Sequence, residues 1–319
     1  MTNKNSESSH KLKNLIHTLA LFLCMSIILA LLGFILAGVD GILWAIVSTL
    51  AILVFSPNIS PAFILSLYGG RLLSSANAPG LYQITRELAA RADLPAPPVL
   101  YYLPSRIMNA FSVGTPVNPA IGLSDALLNG LTMREIIGVL AHEISHIQHN
   151  DLRVMNYADT LSWLTSTLSF TGLLLVLLSL PLYFMGLVTI SWSALGLLFV
   201  APAIMSYLQL SLSRMREYDA DRQAALLTGD PEGLAMALAK LEAYESSLFN
   251  MLFRRGRSAA IPSILRTHPD TQDRIDRLLS IKELPSQALE YSIYDRDTIP
   301  AQFQKSVRKP RWHLGGFWY

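Results

Sequence analysis

His142, Glu143 and His146 carry the first chemistry legible in this sequence. They lie in residues 132–151, TMREIIGVLAHEISHIQHND, where Thr132 followed three residues later by Glu135 is a capping box that predicts a helix start. Ile136, Ile137, Leu140, Ala141, Ile144 and Ile147 recur at helical spacing and predict a buried face. His142 and His146 stand one helical turn apart, so both imidazoles leave the helix on one side, with Glu143 beside them. This is H-E-x-x-H: two zinc ligands, and a carboxylate placed to take a proton from a water that the metal activates. A five-residue match can arise by chance. Here it falls mid-helix between a capped end and a charged end, which argues for chemistry.

A catalytic zinc takes three protein ligands and keeps one position open, so a third donor must come from another element. The chain has one cysteine, Cys24, inside an apolar run, which leaves His, Glu and Asp as donors and rules out an internal disulfide. Glu217 in Glu-Tyr-Asp-Ala-Asp is the best-placed third ligand. Asp221 sits one turn further on the same helical face, where its carboxylate can accept the free N–H of a ligating histidine. Taken alone, a solvated helix face paired with Arg214 or Arg216 accounts for both carboxylates equally well. Beside H-E-x-x-H the ligand reading is favoured. His149, near the end of the zinc helix, reads as a capping or structural residue.

The elements that must position these side chains are unusually apolar. The 319 residues are 51% hydrophobic and only 15% charged, with mean hydropathy +0.37. Soluble domains average about 25% charged residues, so much of this chain belongs in lipid. A net charge of +2 is too mild to imply nucleic acid as a partner. Between residues 14 and 70 the one charged side chain is Asp40, and apolar runs at 15–36 and 42–55 flank a tight turn at 37–41. About 20 apolar residues span a bilayer. The first run is long enough, and the second needs help from 57–68. A secretory signal peptide would have a shorter apolar run and a cleavage site. From Thr160 to Ser213 there is no Asp, Glu, Lys, Arg or His, and two more spans fit at 161–182 and 186–208. A soluble helix pair of that length would keep a polar stripe.

The polar remainder reads as an amphipathic helix at 79–93, three short strands at 98–103, 107–113 and 120–124 forming a small antiparallel sheet, and the zinc helix. Further helices are expected at 214–228, closed by Gly229, at 231–249 and from Thr267 to Ser280. Arg254, Arg255 and Arg257 read as a solvated turn. The predicted organisation is therefore a polar tail and first hairpin (1–69), a first protease segment (70–158), a second hairpin (159–212) and a second protease segment (213–319). Lys11, Lys13, Arg71, Arg153, Arg214 and Arg216 flank the spans on one side, and the hairpin turns carry no Lys or Arg. The positive-inside rule then puts both termini and the polar domain in the cytoplasm.

The ordered set of an N-terminal hairpin, Asn109-Ala-Phe, His142-Glu-Ile-Ser-His146, a second hairpin, Glu217-Tyr-Asp-Ala-Asp221 and His268-Pro with Arg274 six residues on resembles the HtpX heat-shock membrane metalloproteases. More distantly it is similar to the CAAX prenyl-protease zinc enzymes. The resemblance covers nearly the whole chain. It implies a mainly α membrane protein with two transmembrane hairpins and a cytoplasmic zincin-like α+β domain. It also implies one Zn2+ per chain on His142, His146 and Glu217, with Glu143 as general base and Asp221 behind a ligand. Asn109 and Ala110 would lie on the edge strand that pairs with substrate backbone. His268 and Arg274 would be late-sequence active-site residues, His268 a donor to the oxyanion and Arg274 a support. The implied task is quality control of membrane proteins at a bacterial-type inner membrane, with polypeptide substrates and the lipid bilayer as partners.

Three other readings compete. An intramembrane zinc protease carries H-E-x-x-H within an apolar span, whereas Arg134, Glu135, Asp151 and Arg153 bracket this helix. A non-catalytic membrane adaptor or chaperone-like factor would need no metal. A transporter would place ionisable groups within its spans, and 160–213 has none.

Overall fold

The structure is a computed structural model that describes residues 2–55, 60–252 and 271–281. His268, the basic turn at 254–257 and the C-terminal tail lie outside the described residues. The chain forms two compact units, Met1–Pro57 with Arg153–Met215, and Asn58–Leu152 with Arg216–Tyr319.

The first unit is helical. The α1 helix (Thr2–Phe55) is broken at Ala37 and Gly38, whose backbone angles leave the helical region, so it folds into two arms. The arms touch where Gly33 and Gly41 meet: a Cβ on Gly33 would stand 2.4 Å from the Gly41 carbonyl oxygen, closer than any side chain tolerates. The α6 helix (Asp151–Phe184) ends in a Schellman motif, with Gly186 N–H donating to Tyr183 O and Leu187 N–H to Leu182 O. Gly186 is left-handed at φ 72°, and the return helix α7 (Trp192–Thr228) starts six residues later than the sequence reading placed it. Met25, Leu29 and Ala45 of α1 pack with Ala158 and Leu161 of α6 and with Met205 and Leu212 of α7. The outward faces stay apolar: Trp44, Phe170, Phe199 and Leu178 are each more than 60% exposed. Among the described residues, three helices are long and apolar enough to cross a membrane, Asn14–Ala51, Asp151–Phe184 and Trp192–Thr228. Contiguous apolar surface of this extent marks a face built to be covered, by lipid or by another protein.

The second unit carries the candidate chemistry. Its first helix, α2 (Pro61–Leu67), is separate from α1, because Ser60 is extended and Pro61 opens a new helix. Leu65 packs on Leu103, Val113 and Ala120, so this segment completes a sheet core and does not lengthen the second apolar arm. A four-stranded sheet follows, built from β1 (Arg71–Leu72), β2 (Val99–Leu103), β3 (Ala110–Thr115) and β4 (Asn118–Ser124) in the order β1-β2-β4-β3. The sheet is mixed, which corrects the expected antiparallel one. The β3 and β4 strands form a hairpin closed at Thr115 and Asn118, and β4 inserts beside β2 in parallel register, Val99 opposite Ala120. The 104–109 connection carries the chain past the slot that β4 fills, leaving β3 on the open edge.

Between β1 and β2 runs α3 (Pro79–Arg91), burying Leu81, Ile84 and Leu88, with Ala92 at its C-cap, as its amphipathic pattern predicts, and Ala89 beside them. The short α4 (Asp125–Gly130) leads into α5 (Met133–Gln148), the centre of the unit. The expected capping box is present: Thr132 N–H donates to Glu135 Oε2 at 2.7 Å and Glu135 N–H to Thr132 Oγ1. Ile136, Ile137, Leu140, Ala141, Ile144 and Ile147 are all buried, in one core with α3, α4, β2, β4 and the helix α8 (Pro231–Leu252). Asp230 caps α8 through Gly233 N–H and takes the Arg134 guanidinium on both oxygens. The last described element, α9 (Thr271–Leu279), docks through Leu278. Tyr218 of α7 clamps it by donating to Asp273 while its ring stacks under Arg277.

Candidate metal centre

The α5 helix supplies two imidazoles one turn apart, edge-on to each other with centroids 4.6 Å apart. Their Nε2 atoms approach to 3.1 Å. From α7, Glu217 brings Oε2 to 3.5 Å from His142 Nε2 and Oε1 to 3.7 Å from His146 Nε2. Zinc bonds of about 2.0–2.2 Å in a tetrahedral array set neighbouring ligand atoms roughly 3.3–3.5 Å apart. The three donors therefore stand at the spacing that a single small cation requires, and they are the group of His, Cys, Asp and Glu side chains among the described residues that could hold one.

Behind each imidazole stands a carboxylate, and behind each carboxylate a guanidinium. His142 Nδ1 lies 3.0 Å from Asp221 Oδ1, off the line of a straight hydrogen bond. Asp221 accepts a two-pronged fork from Arg274, Nε and Nη2 both at 2.7 Å, and Arg274 Nη1 reaches Glu217 Oε2 at 2.9 Å. Arg274 is 6% exposed and its edges are taken. It supports the donor set, spending three of its five N–H groups on Asp221 and Glu217. On the other side His146 Nδ1 donates to Asp151 Oδ2 at 2.9 Å, and Arg216 Nη1 faces Asp151 Oδ1 at 3.1 Å. Sequence reasoning used Asp151 only as a charged bracket. Its one signal was its position five residues after His146, across a turn that Asn150 makes at φ 57°. A carboxylate at each Nδ1 fixes the tautomer whose Nε2 lone pair points inward.

The charges favour a dication. Four formal carboxylates, Glu143, Asp151, Glu217 and Asp221, face two guanidiniums, Arg216 and Arg274. Burial works to lower the His142 pKa, but close contact with the Asp221 and Glu217 carboxylates and their charge outweigh it and push it up to about 10. Burial works the other way on Glu217, and its contact with His142 together with the charges of Arg274 and His146 holds it well below the carboxylate range. Asp221 is likewise lowered by the Arg274 fork and by His142 against the effect of burial.

These shifts predict how the metal-free protein responds to pH. The raised His142 contributes stability that is complete below its ordinary value of 6.5 and lost as pH climbs through about 10. The depressed Glu217 and Asp221 contribute above their ordinary values of 4.5 and 3.8 and are lost in acid. Thermal unfolding of chelator-treated protein should therefore peak at roughly pH 5–6.5 and fall towards pH 10. A melting temperature that rises from pH 7 to 10 would contradict the shift.

Glu143 follows His142 on α5 and is 9% exposed. Among the described residues no hydrogen bond holds its carboxylate, which is felt only as a charge by Arg274. His149 donates from Nδ1 to the Ser145 carbonyl at 2.9 Å and ends α5 as its C-cap. Asn109 is exposed just before β3, yet its main chain is engaged, N–H to Ser124 Oγ at 2.9 Å and O from Ser124 N–H at 3.0 Å. By the alternation of an antiparallel ladder, Ala110, Ser112 and Gly114 turn their N–H and C=O groups to the open edge. The β3 strand packs along α5.

Residues 75–282 match Peptidase family M48. The chain belongs to this family. A Protease HtpX homolog of Ralstonia nicotianae is 32% identical over 290 residues, covering 85% of this chain and 97% of that protein. A second Protease HtpX homolog, from Campylobacter hominis, is 34% identical over 288 residues, 84% and 98% of the two chains. The crystal structure of S. mikatae Ste24p shares the fold, with TM-score 0.50 at 21% identity over 84% of this chain and 67% of that one. The protein is thus an HtpX-like membrane metalloprotease of family M48, as the ordered motifs implied. Family M48 enzymes depend on a metal, typically zinc, and the donor set of His142, His146 and Glu217 suits one.

Proposed function

We propose that the protein is a zinc endopeptidase that hydrolyses misfolded or damaged membrane proteins on the cytoplasmic side of a bacterial-type inner membrane. The observation that carries this reading is the convergence of His142 Nε2, His146 Nε2 and the Glu217 carboxylate at ligand spacing. These residues would hold one zinc per chain, with Asp221 and Arg274 behind them. Bound zinc supplies Lewis acidity, which lowers the pKa of water and polarises a carbonyl. Glu143 accepts the proton of the attacking water and returns it to the departing amine nitrogen, so the C–N bond breaks with no net change in the enzyme. An extended substrate adds to the open edge of β3, its backbone meeting Ala110 and Ser112 while Asn109 offers its side chain. His268 remains the proposed donor to the tetrahedral oxygen.

The two arms of α1 with α6 and α7 give four membrane crossings in two hairpins. The second arm, 39–55, is about 25 Å long at 1.5 Å per residue, slightly less than the hydrocarbon thickness. Basic residues flanking the spans support a cytoplasmic catalytic domain.

Metal analysis of the detergent-solubilised protein tests the centre. One zinc per chain is expected, with cleavage of an unfolded membrane protein stopped by a chelator and restored by zinc. His142→Ala and Glu217→Ala should each lose most of the metal. If Glu217→Ala binds zinc as tightly as wild type, the third ligand is another residue.

A further inference from the structure

Asp151 holds two partners at once. Its Oδ2 accepts from His146 Nδ1 at 2.9 Å while its Oδ1 faces Arg216 Nη1 at 3.1 Å, and its side chain is 5% exposed. The three residues come from three places in the chain. His146 is on α5, Asp151 is the first residue of α6, and Arg216 immediately precedes Glu217 on the returning α7. Everything between Asp151 and Arg216 in sequence is the second apolar hairpin, so one buried carboxylate clasps the two ends of that hairpin and one imidazole.

We propose that Asp151 is a positioning residue for His146, and that Arg216 fixes Asp151, so that closure of the hairpin ends aims His146 Nε2 at the metal. The inference rests on His146 being a zinc ligand. An imidazole can present either nitrogen and can turn about its Cβ–Cγ bond. A carboxylate on Nδ1 removes both freedoms by holding the proton there and fixing the ring plane. The carboxylate itself can rotate unless its second oxygen is held, and the charge of Arg216, 3.1 Å from Oδ1 but out of line for a hydrogen bond, opposes that rotation. His142 receives the same treatment from Asp221 and Arg274. The difference is that Asp221 shares a helix with Glu217, whereas Asp151 enters from the other end of the hairpin.

An end-to-end clasp with no influence on the metal would explain the ion pair but not the bond to His146, and variants of the full-length protein in detergent separate the two. Zinc affinity is read by competition with a chromophoric chelator, and the ligand field by the visible absorption of the cobalt-substituted protein. Asp151→Ala should weaken zinc binding about 10–100-fold and change the cobalt spectrum. Asp151→Asn, which keeps an acceptor and tests the site should the alanine variant fold poorly, should lose less. Arg216→Lys should lose least. The exchange Asp151→Arg with Arg216→Asp restores an ion pair across the hairpin ends but gives His146 no acceptor. It should recover melting temperature without recovering zinc affinity. Wild-type zinc affinity in the exchanged protein, or affinity within threefold of wild type in both Asp151→Ala and Asp151→Asn, reduces Asp151 to a clasp and overturns the proposal. Undiminished zinc binding by His146→Ala would instead remove the premise, and with it the reading of the metal centre.

Discussion

Glu143→Gln is expected to fold, fill with zinc and stop cutting. Glutamine matches glutamate in size, and the site is a nearly buried position on a mostly buried helix, so the packing of α5 is retained. No hydrogen bond among the described residues depends on the Glu143 charge, so the melting temperature should not move. What should disappear is the proposed carrier of the proton from water to the leaving amine. General acid–base catalysis contributes about 10²–10⁴-fold, and here both proton transfers use the same carboxylate. A peptide reporter assayed in detergent, with metal content measured on the same preparation, gives the comparison. Turnover within tenfold of wild type at full zinc occupancy would place the base elsewhere. Any self-cleavage that trims the wild type during purification should vanish in the variant.

The other large effect belongs to Arg274. Its three nitrogens satisfy two carboxylates inside the protein, and it reaches them from α9, an element that contributes no donor to the cation. Arg274→Ala leaves Asp221 and Glu217 buried and uncompensated. Removing one partner of such a pair costs about 3–5 kcal/mol. Arg274→Lys keeps the charge, but one ammonium cannot grip Asp221 at both oxygens while touching Glu217, so it should fall between. The order wild type, Lys, Ala should appear in thermal unfolding. It should be steepest after chelation, when the metal is gone and only the protonated His142 is left to answer the two carboxylates. An alanine variant that melts with wild type, metal-free, would show the fork to be idle.

What the sequence disclosed and what it withheld divide along a physical line. The start of α5, its buried face and the common direction of His142 and His146 depend on residues within a few positions of each other, and all three were legible. The pairing of Glu217 with Asp221 was legible for the same reason, as an i, i+4 pattern. Asp151 was not, because its contact with His146 crosses a turn that only the left-handed Asn150 creates. The Arg274 fork joins residues far apart in sequence, and only the resemblance to a family pointed to it. Strand direction escaped as well. Alternating side chains look the same in either orientation, and β4 lies parallel to β2 because of the route of the connection. The two-residue β1 was too short to leave a pattern, and α2 read as membrane because Leu65 is as apolar as the spans before it.

The donors to the cation stand on both sides of the second apolar hairpin, His142 and His146 ahead of it and Glu217 behind. During synthesis the two histidines leave the ribosome long before the glutamate, and on the proposed topology the chain between them passes into the bilayer and returns. A nascent chain not yet made as far as Glu217 therefore has two of the three proposed donors and no peptidase. The Arg274 that steadies the site is made later still. On the topology and substrates proposed above, activity waits for insertion, so a protease aimed at faulty membrane proteins does not act before it has itself become a correctly assembled one.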